Sequence, residues 1–460
     1  MIRAILSVAV IALAGMASAE TKVPVTQAEI SLGFAPLVKQ AAPAVVNIYA
    51  RHVIEARESP FKGDPFFEDF FRGFGSAQPK IQNSLGSGVI LSADGIVVSN
   101  YHVVGMATDI RVVTNDRHEY SARVLLGDKE SDLAILKLDE ADGLPFLNLR
   151  NSDKVEVGEL VLAIGNPFGV GQTVSSGIVS GLARSGTATG NARGYFIQTD
   201  APINPGNSGG ALIDVNGALI GVNTSILSRS GGSNGIGFAI PANLVAQFVA
   251  QSRGGSDQFQ RPWAGMAGQQ VDADLAASLG LARPEGIVVS DLHEDSPFAM
   301  AGIAVGDVIT HVDGQEVNSP SEMLFRMSVT GIGGVSRISV VQSGVVNDIE
   351  VPMIAAPTVP ADEEMTLGDD TVLPGLKITR INPAVIARHG LPLTLKGVLV
   401  LETGRLGERA GLKPGDILLQ INKEAMTRSR DVRRALTDPG RRVRIELQRR
   451  GQRMSLRFRL

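Results

Sequence analysis

A serine surrounded by small residues is the first feature of the sequence that could do chemistry. Ser208 lies in the segment Asn204-Pro205-Gly206-Asn207-Ser208-Gly209-Gly210-Ala211-Leu212. On a tight turn such a serine exposes its hydroxyl, and the neighbouring glycines let backbone amides point at one spot, where they could bind an oxyanion. An ordinary glycine-rich β-turn would have the same composition. The segment is not a nucleotide-binding loop, because no G-K-[ST] follows it and no long helical pattern begins there.

A serine nucleophile needs a base and an acid that orients the base. The chain has six histidines, and His102 is the best candidate because it follows the apolar segment Gly95–Ser99, where a strand end could hold its ring rigidly. His118 lies in a polar turn and is expected at the surface. Asp132 precedes the apolar run Leu133–Leu138, where an unpaired carboxylate would be costly. Spacing alone nominates these side chains and does not bring them together.

The composition excludes several other chemistries. The 460 residues include no cysteine, so a thiol nucleophile, a thiolate metal site and disulfides are all excluded. No H-E-x-x-H motif or other ligand cluster occurs, so neither a metal nor another cofactor is expected. A net charge of -4 gives no reason to expect nucleic acid as a partner, and 44% hydrophobic with 20% charged residues is typical of a globular protein.

The elements that must position these residues have the pattern of β-strands. Between about residue 35 and 250 the sequence alternates short apolar segments with glycine-rich turns, which is typical of an all-β domain. Residues 55–84 interrupt the pattern with proline, glycine and four phenylalanines in six positions, and are predicted to form a loop. Residues 251–261 are polar and glycine-rich, as a linker would be. Strands are predicted at Val45–Tyr49, Gly88–Leu91, Gly95–Ser99, Ile110–Thr114, Leu133–Leu138 and Leu160–Ile164.

The first nineteen residues have the features of an export signal. Arg3 precedes the apolar run Ala4–Ala14, and Ala17-Ser18-Ala19 is an A-x-A cleavage signal. The run is shorter than the about 20 apolar residues that span a bilayer, so cleavage after Ala19 is expected, and an uncleaved anchor is the alternative. The mature chain is predicted to be soluble and exported.

An internal repeat follows the β-rich region. The segments 286–289, 301–303 and 306–309 recur at 397–400, 410–412 and 415–418. Two tandem units of about 90 residues are therefore predicted, separated by the acidic, proline-containing stretch Ala356–Asp370. A chain of this length must be divided into several domains, and together with the β-rich region the sequence predicts three.

Several segments together resemble the HtrA (Deg, or Do-like) family of exported serine endopeptidases. They are SNYHVV around His102, SDLAIL around Asp132, AIGNPFG at 163–169, TVSSGIVSGLAR at 173–184, FIQTDAPINPGNSGGAL at 196–212 and GIGFAIP at 235–241. The resemblance implies a mainly β fold, in which a trypsin-like pair of perpendicular β-barrels is followed by two PDZ domains of the α+β class. It also implies an intact catalytic triad of His102, Asp132 and Ser208 that works without a cofactor.

The resemblance extends to the surroundings of that triad. The backbone amides of Gly206 and Ser208 are expected to bind the oxyanion. In this family the loops that border the pocket for the residue before the cut correspond to those containing Ile203, Ile236 and Ile240, which are the predicted substrate-binding residues. An aliphatic pocket without an acid implies a small aliphatic side chain such as Val, Ala or Ile at that position of the substrate.

The two repeats resemble PDZ domains of the circularly permuted bacterial type. The segment Trp263-Ala264-Gly265-Met266 stands where that family has its carboxylate-binding loop, whose amides bind a peptide C-terminus while the peptide adds as a strand. The second copy has Leu373-Pro374-Gly375-Leu376, and because Pro374 removes one amide donor, ligand binding there stays open. A purely structural spacer is the alternative for both repeats.

The end of the chain is strongly basic although the whole chain is acidic. Arg428–Leu460 holds twelve arginines against three acidic residues, Asp431, Asp438 and Glu446. Two explanations stay open. One is a solvated face or a contact with the acidic 362–370 linker or another subunit. The other is docking to anionic lipid head groups.

The sequence therefore predicts a periplasmic, ATP-independent serine endopeptidase that degrades misfolded or unfolded proteins in the cell envelope. The predicted domains are a signal peptide at 1–19, a protease domain at 20–250, and PDZ domains at 262–355 and 371–460. The resemblance implies unfolded polypeptides and their C-termini as partners, homotrimers that stack into larger cages, and chaperone activity. The alternative is a PDZ-based binding or chaperone protein whose protease domain is silent.

Overall fold

The computed structural model describes residues 33–54, 80–166, 171–185, 195–204, 206–226, 233–361 and 363–459. The predicted signal peptide, the phenylalanine-rich part of the predicted loop and Pro205, three positions before Ser208 in the sequence, lie outside these residues. Within the described ranges no helix is long and apolar enough to cross a membrane.

The first of two closed barrels contains six antiparallel strands. They span Val45–Ile54 (β1), Lys80–Ile90 (β2), Ile96–Ser99 (β3), Asp109–Val113 (β4), Glu119–Asp128 (β5) and Leu133–Leu138 (β6). The order around the barrel is β1-β2-β3-β6-β5-β4. Strand β6 is apolar on both faces because each face is covered: Leu136 lies in the barrel interior, whereas Ile135 packs with Phe248 in the core shared with the second barrel.

The second barrel repeats this construction with six further strands. They span Leu160–Gly165 (β7), Thr173–Ser185 (β8), Tyr195–Thr199 (β9), Ala211–Asp214 (β10), Leu219–Ile226 (β11) and Gly237–Pro241 (β12). The order is β10-β11-β12-β9-β8-β7. The helices of this region are Ala35–Ala41 (α1), Tyr101–Val104 (α2) and Ala242–Arg253 (α3). Helix α3 buries Leu244, Val245 and Phe248 in the core between the barrels.

Two sequence-based boundaries differ from the structure. Residues 80–84, predicted as the end of a loop, belong to β2, because they pair with residues 50–54 of β1 although they are not markedly apolar. Helix α3 continues to Arg253, inside the predicted linker of residues 251–261. In both places main-chain hydrogen bonds extend the element beyond the apolar pattern.

The first repeat unit is a sheet flanked by three helices. Its strands are Met266–Gln270 (β13), Ile287–Leu292 (β14), Val308–Val312 (β15), Gln315–Glu316 (β16), Val335–Gln342 (β17) and Val345–Pro352 (β18), and its helices are Ala273–Leu279 (α4), Pro297–Met300 (α5) and Pro320–Thr330 (α6). The order is β13-β14-β15-β17-β18, with β16 paired to β15. Strand β13 is thus an edge strand.

The second repeat unit has the same plan with one strand more. Its strands are Met365–Thr366 (β19), Lys377–Arg380 (β20), Val398–Glu402 (β21), Ile417–Ile421 (β22), Glu424–Ala425 (β23), Arg442–Arg449 (β24) and Gln452–Arg459 (β25), and its helices are Pro383–His389 (α7), Gly404–Arg409 (α8) and Ser429–Thr437 (α9). The order is β19-β20-β21-β22-β24-β25. The predicted repeat is therefore present as two sheets of matching topology, and β19 is the additional strand.

Helix α6 joins the first repeat unit to the second barrel. The Phe325 ring stacks on Tyr195 with 3.9 Å between ring centroids. Arg326 is buried, forms an ion pair with Asp153 and donates to the Tyr195 hydroxyl at 2.7 Å. The unit is consequently packed against the barrel and is not a free appendage.

Candidate active site

Ser208 lies on the turn that leads into β10, and the turn is held from several sides. The Ser208 main-chain oxygen accepts a hydrogen bond from the Ser87 amide at 2.8 Å, and the Gly209 amide donates to the Asn223 carbonyl at 2.8 Å. The Ser208 hydroxyl donates to the main-chain oxygen of Thr224 at 3.0 Å. Within the described residues, which do not include Pro205, no main-chain acceptor is found for the Ser208 amide.

His102 and Asp132 come from the first barrel and are hydrogen-bonded to each other. His102 is on α2, just after β3, and its Nδ1 lies 3.0 and 2.9 Å from the two carboxylate oxygens of Asp132. The main-chain amide of His102 donates to the same carboxylate at 3.0 Å. A carboxylate at Nδ1 favours the tautomer that carries its proton there. The ring can then accept a proton at Nε2, and half of the side chain is exposed to solvent.

The Asp132 backbone is held in a conformation that few residue types adopt. Its φ is 54°, in the left-handed region, where aspartate is enriched over most residues. The Asp132 main-chain oxygen accepts hydrogen bonds from the Tyr101 amide at 3.2 Å and from the side-chain amide of Asn100 at 2.9 Å. These contacts fix the turn before β6 against the start of α2, and so fix the carboxylate under the imidazole.

Thr224 connects the acid of the first barrel to the serine of the second. Its hydroxyl donates to the Asp132 carboxylate at 2.6 Å, and its main-chain oxygen is the acceptor of the Ser208 hydroxyl. No hydrogen bond joins His102 directly to Ser208 in the part of the chain that the structure describes. Catalytic hydrogen bonds are often long in unliganded sites and tighten when substrate binds. The three predicted side chains therefore lie in one cluster across the two barrels.

Ser87, on β2 of the first barrel, is the residue that holds the Ser208 turn in place. Its side chain is fully buried, and its hydroxyl donates to the Gly206 carbonyl at 2.7 Å while accepting from the Asn166 amide at 2.8 Å. Its main-chain oxygen accepts from the Ser99 hydroxyl at 2.7 Å. With the bond to Ser208, every polar group of Ser87 is used.

Gly209 lies where the Ser208 turn approaches β2 most closely. Its φ is 83°, and a Cβ atom there would collide with the main-chain oxygen of Ser87 and would lie 2.5 Å from the Ser99 hydroxyl. Only glycine allows the turn to lie this close to β2.

The three predicted pocket residues do not lie together. Ile203 is buried in the interior of the second barrel with Ala239, whereas Ile236 is partly buried and packs against the core between the barrels. Ile240 follows Ala239 on β12 and therefore faces the other side, where it packs with Phe196 in the core between the barrels. The structure does not bring Ile240 and Ile203 together.

The predicted carboxylate-binding loop precedes the edge strand β13. The Ser296 hydroxyl donates to the Ala264 carbonyl at 2.6 Å, and the His293 amide donates to the Gly265 carbonyl at 2.8 Å. Trp263 is buried, with its ring centroid 5.5 Å from that of His293. Because N–H and C=O point in opposite directions across a trans peptide, the amides of Gly265 and Met266 point away from these bonds. They face the side on which a strand could add to β13.

Sequence reasoning missed Ser87, Thr224 and Asn100. Ser87 stands in Gly86-Ser87-Gly88, and a serine between glycines was the available signal. Its partner Gly206 is 119 positions away along the chain, so no local pattern reveals the contact. No group of His, Asp or Glu side chains within the described ranges could hold a metal ion.

Comparison with known proteins finds matches in the barrel region and in both repeat units. A profile of the trypsin-like peptidase domain matches residues 86–222, and PDZ-domain profiles match residues 250–353 and 397–449. A probable DegP-like periplasmic serine endoprotease of Pseudomonas fulva is 37% identical over 423 residues, which are 86% of this chain and 87% of that protein. The periplasmic pH-dependent serine endoprotease DegQ of Escherichia coli is 36% identical over 413 residues, 87% of this chain and 86% of its own.

A solved structure agrees with these sequence matches. The HtrA-type protease AlgW with a decapeptide is 42% identical, covers 71% of this chain and 99% of its own, and has a TM-score of 0.53.

We expect Ser87→Ala to lower kcat for peptide cleavage by about 10- to 100-fold while leaving KM within about twofold, because a displaced nucleophile turn loses alignment and not substrate contacts. Steady-state kinetics on a short peptide measure both constants. Ser121→Ala, at an exposed serine on β5, is the matched control. A folded Ser87→Ala protein with the kcat of the unaltered chain would contradict this role.

Proposed function

The chain belongs to the HtrA-type family of periplasmic serine endoproteases, and on this premise we propose that Ser208, His102 and Asp132 form its catalytic triad. It is a serine endopeptidase with a trypsin-like protease domain followed by two PDZ domains. The observation that carries the proposal is that Thr224 hydrogen-bonds both Asp132 and Ser208 while Asp132 holds the His102 ring. The two barrels thereby contribute to one cluster of acid, imidazole and hydroxyl.

In the proposed mechanism the Ser208 hydroxyl leaves the Thr224 carbonyl and turns to Nε2 of His102. Ser208 attacks the peptide carbonyl as neutral His102 takes its proton, and the imidazolium then gives that proton to the leaving amine. Asp132 keeps Nδ1–H in place and stabilises the imidazolium. Water repeats the sequence on the acyl-enzyme with His102 again as base. No cofactor takes part.

We assign the oxyanion-binding donors to the amides of Gly206 and Ser208. The Ser208 amide, which has no main-chain acceptor among the described residues, supports this assignment, as does the Ser87 hydroxyl that fixes the carbonyl of Gly206. Loss of one such donor costs about 3 kcal/mol of transition-state stabilisation. The Ser87 contacts therefore serve the oxyanion as well as the nucleophile.

We expect Ser208→Ala to abolish cleavage of unfolded casein, with a loss of at least about 1000-fold, because the nucleophilic oxygen is removed. Ser121→Ala should cleave at the rate of the unaltered chain. Residual cleavage within tenfold of that rate in the Ser208→Ala protein would overturn the assignment. A folded, unaltered chain that does not cleave casein would instead favour the alternative of a PDZ-based binding protein with a silent protease domain.

The pocket for the residue before the cut is proposed to contain Ile203 and to be bordered by the segment of Ile236, whose side chain packs against the core between the barrels. The burial of Ile203 inside the second barrel supports an apolar pocket, whereas Ile240 faces the opposite side of β12. An apolar pocket cannot compensate the charge of a buried lysine or arginine.

Cuts should accordingly follow Val, Ala or Ile, as mass spectrometry of a digested unfolded protein would measure. Ile203→Val should shift the cuts toward larger aliphatic residues, and Ile240→Val should not. A majority of cuts after Lys or Arg would refute the pocket.

We propose that the first PDZ domain binds the C-termini of unfolded polypeptides at Trp263, Ala264, Gly265 and Met266. The outward amides of Gly265 and Met266 and the open edge of β13 support an added strand with its carboxylate in the loop. The decapeptide held by the related AlgW structure is consistent with a peptide ligand in this family.

A peptide ending in an apolar free carboxylate should bind at least about tenfold more tightly than its amidated form, since the amide lacks the charge that strengthens these hydrogen bonds. Isothermal calorimetry on Ser208→Ala protein compares the two peptides without cleavage. Equal affinities would exclude the Trp263–Met266 loop as a carboxylate site.

We also propose that the arginine-rich end of the second PDZ domain contacts anionic lipid. On the β24–β25 hairpin Arg442 lies opposite Arg459, and Arg444 lies opposite Arg457. Like charges directly opposite are destabilising. Within the described residues Arg442, Arg457 and Arg459 form no ion pair, whereas Arg433 pairs with Asp370 of the acidic linker at 2.8 Å. Only part of the basic charge is thus neutralised by the chain itself.

The full-length protein should sediment with vesicles containing phosphatidylglycerol at low salt and be released at high salt. Replacing Arg442, Arg457 and Arg459 together by Gln should weaken binding roughly 100-fold, since each arginine contributes about 1 kcal/mol near such a surface. Arg433→Gln is the matched control and should bind normally. Protein that stays in the supernatant at low salt would assign these arginines to the assembly instead.

The remaining proposals concern location, domains and assembly. We propose a periplasmic protein whose signal peptide is cleaved after Ala19, with a protease domain at 20–250 and PDZ domains at 262–355 and 371–460, the short strand β19 preceding the last. The names of the relatives support the location. Homotrimers, larger cages and chaperone activity toward misfolded proteins complete the proposal. N-terminal sequencing of exported protein, and its mass in solution with and without unfolded substrate, test these points.

A further inference from the structure

The second PDZ domain has a strand where the first has an open edge. In the first domain β13 ends the sheet, but in the second the equivalent strand β20 is paired antiparallel with β19. The two edges correspond residue by residue because both contain the same bulge. Ala267 pairs with Asp291 and Gly268 with Val289, as Lys377 pairs with Glu402 and Ile378 with Val400. Gly375 therefore occupies the position of Gly265.

The residue after β19 makes the main-chain contacts expected of a bound peptide terminus. The Gly375 amide donates to the Leu367 carbonyl at 2.8 Å, and the Leu367 amide donates to the Leu376 carbonyl at 2.9 Å. The loop donor that would bind a carboxylate in the first domain is thus engaged by a carbonyl of the same chain. Pro374 does not prevent this contact because only the Gly375 amide is used.

The Leu367 side chain fills the apolar end of the groove. It is 2% exposed and belongs to a cluster with Leu376 of the loop and with Val432 and Leu436 of α9. Helix α9 corresponds to α6 of the first domain, the helix that stands beside the groove. Burying a leucine there removes the apolar surface that would otherwise receive a peptide side chain.

Beyond Leu367 the chain turns sharply away. The Thr371 amide and hydroxyl both donate to the Gly368 carbonyl, at 3.1 and 2.9 Å, and the Val372 amide donates to the Leu436 carbonyl at 3.0 Å. Asp370 pairs with Arg433 on α9. The occupant of the groove therefore has no free carboxylate and is held on both sides of the turn.

We propose that Met365–Leu367 is an internal ligand of the second PDZ domain. The groove recognises an apolar residue inside a chain and excludes polypeptide C-termini, so that terminal peptides bind only the first domain. A short tether gives the segment an effective concentration in the millimolar range. A free peptide of similar intrinsic affinity then displaces it only at comparable concentration. The occupancy of the second groove by Met365–Leu367 does not depend on the proposed peptide binding at the first domain. The expected number of peptide sites per chain does rest on that proposal.

The test counts peptide sites on full-length Ser208→Ala protein. Calorimetry gives all sites, and fluorescence of Trp263, the single tryptophan of the chain, reports the first domain alone. We expect one site per chain, seen by both methods. Adding Leu367→Ala should create a second site that calorimetry detects without a further Trp263 signal, with at least a tenfold gain in affinity at the second domain. The matched control Thr366→Ala, at the exposed neighbour on β19, should keep one site.

The internal-ligand proposal would be overturned if calorimetry found two peptide sites per chain with Leu367 present. It would also be overturned if a folded Leu367→Ala protein showed no second site. Hydrogen exchange on Ser208→Ala protein with Leu367 intact decides the question even if Leu367→Ala does not fold. The Leu367 and Gly375 amides should exchange slowly and stay unchanged at saturating peptide, and exchange as fast as in an unstructured chain would refute the proposal. If Trp263 fluorescence does not respond to peptide, the proposed peptide binding at the first domain fails. Hydrogen exchange at Leu367 and Gly375 then still tests the internal ligand independently.

Discussion

The hydrogen bonds of Ser87 are the interaction on which the rest of the active site depends. His102 and Asp132 belong to the first barrel and Ser208 to the second, so no catalytic cluster exists unless the barrels are held in one arrangement. Ser87 reaches from β2 to the Ser208 turn through its amide and its hydroxyl, and to Asn166 beyond β7. Since Ser87 is fully buried, losing a partner would leave an unsatisfied polar group, at a cost of about 1–3 kcal/mol.

Thr224 and Gly209 complete this junction. Thr224 links Asp132 and Ser208 through its hydroxyl and carbonyl, and Gly209 allows the backbone to approach β2 closely. The catalytic side chains need few contacts of their own because the backbone around them is already fixed. In the second PDZ domain the backbone is fixed in a similar way, since the Gly375 amide donates to the Leu367 carbonyl.

The sequence predicts the parts of this protein that leave a local pattern. Apolar alternation finds six of the twelve described barrel strands, and the segments around His102, Asp132 and Ser208 nominate the proposed triad. Ser87 is not identified by a local sequence pattern because its role depends on contacts between distant parts of the chain. Ile240 shows a different limit: neighbouring residues of a strand face opposite sides, so a segment that borders a pocket does not say which residues line it. Met365 and Leu367 are hidden within an acidic stretch whose composition predicts a linker.

The most direct measurement of a site assembled across the two barrels is covalent labelling with a fluorophosphonate, followed by mass spectrometry of the labelled peptides. Such reagents phosphonylate a serine only where a neighbouring base activates it. The arrangement of His102, Asp132 and Ser208 predicts a single adduct per chain, on Ser208, and none on folded His102→Ala protein. An adduct on another serine, or a folded wild-type chain that takes up no label, would contradict it.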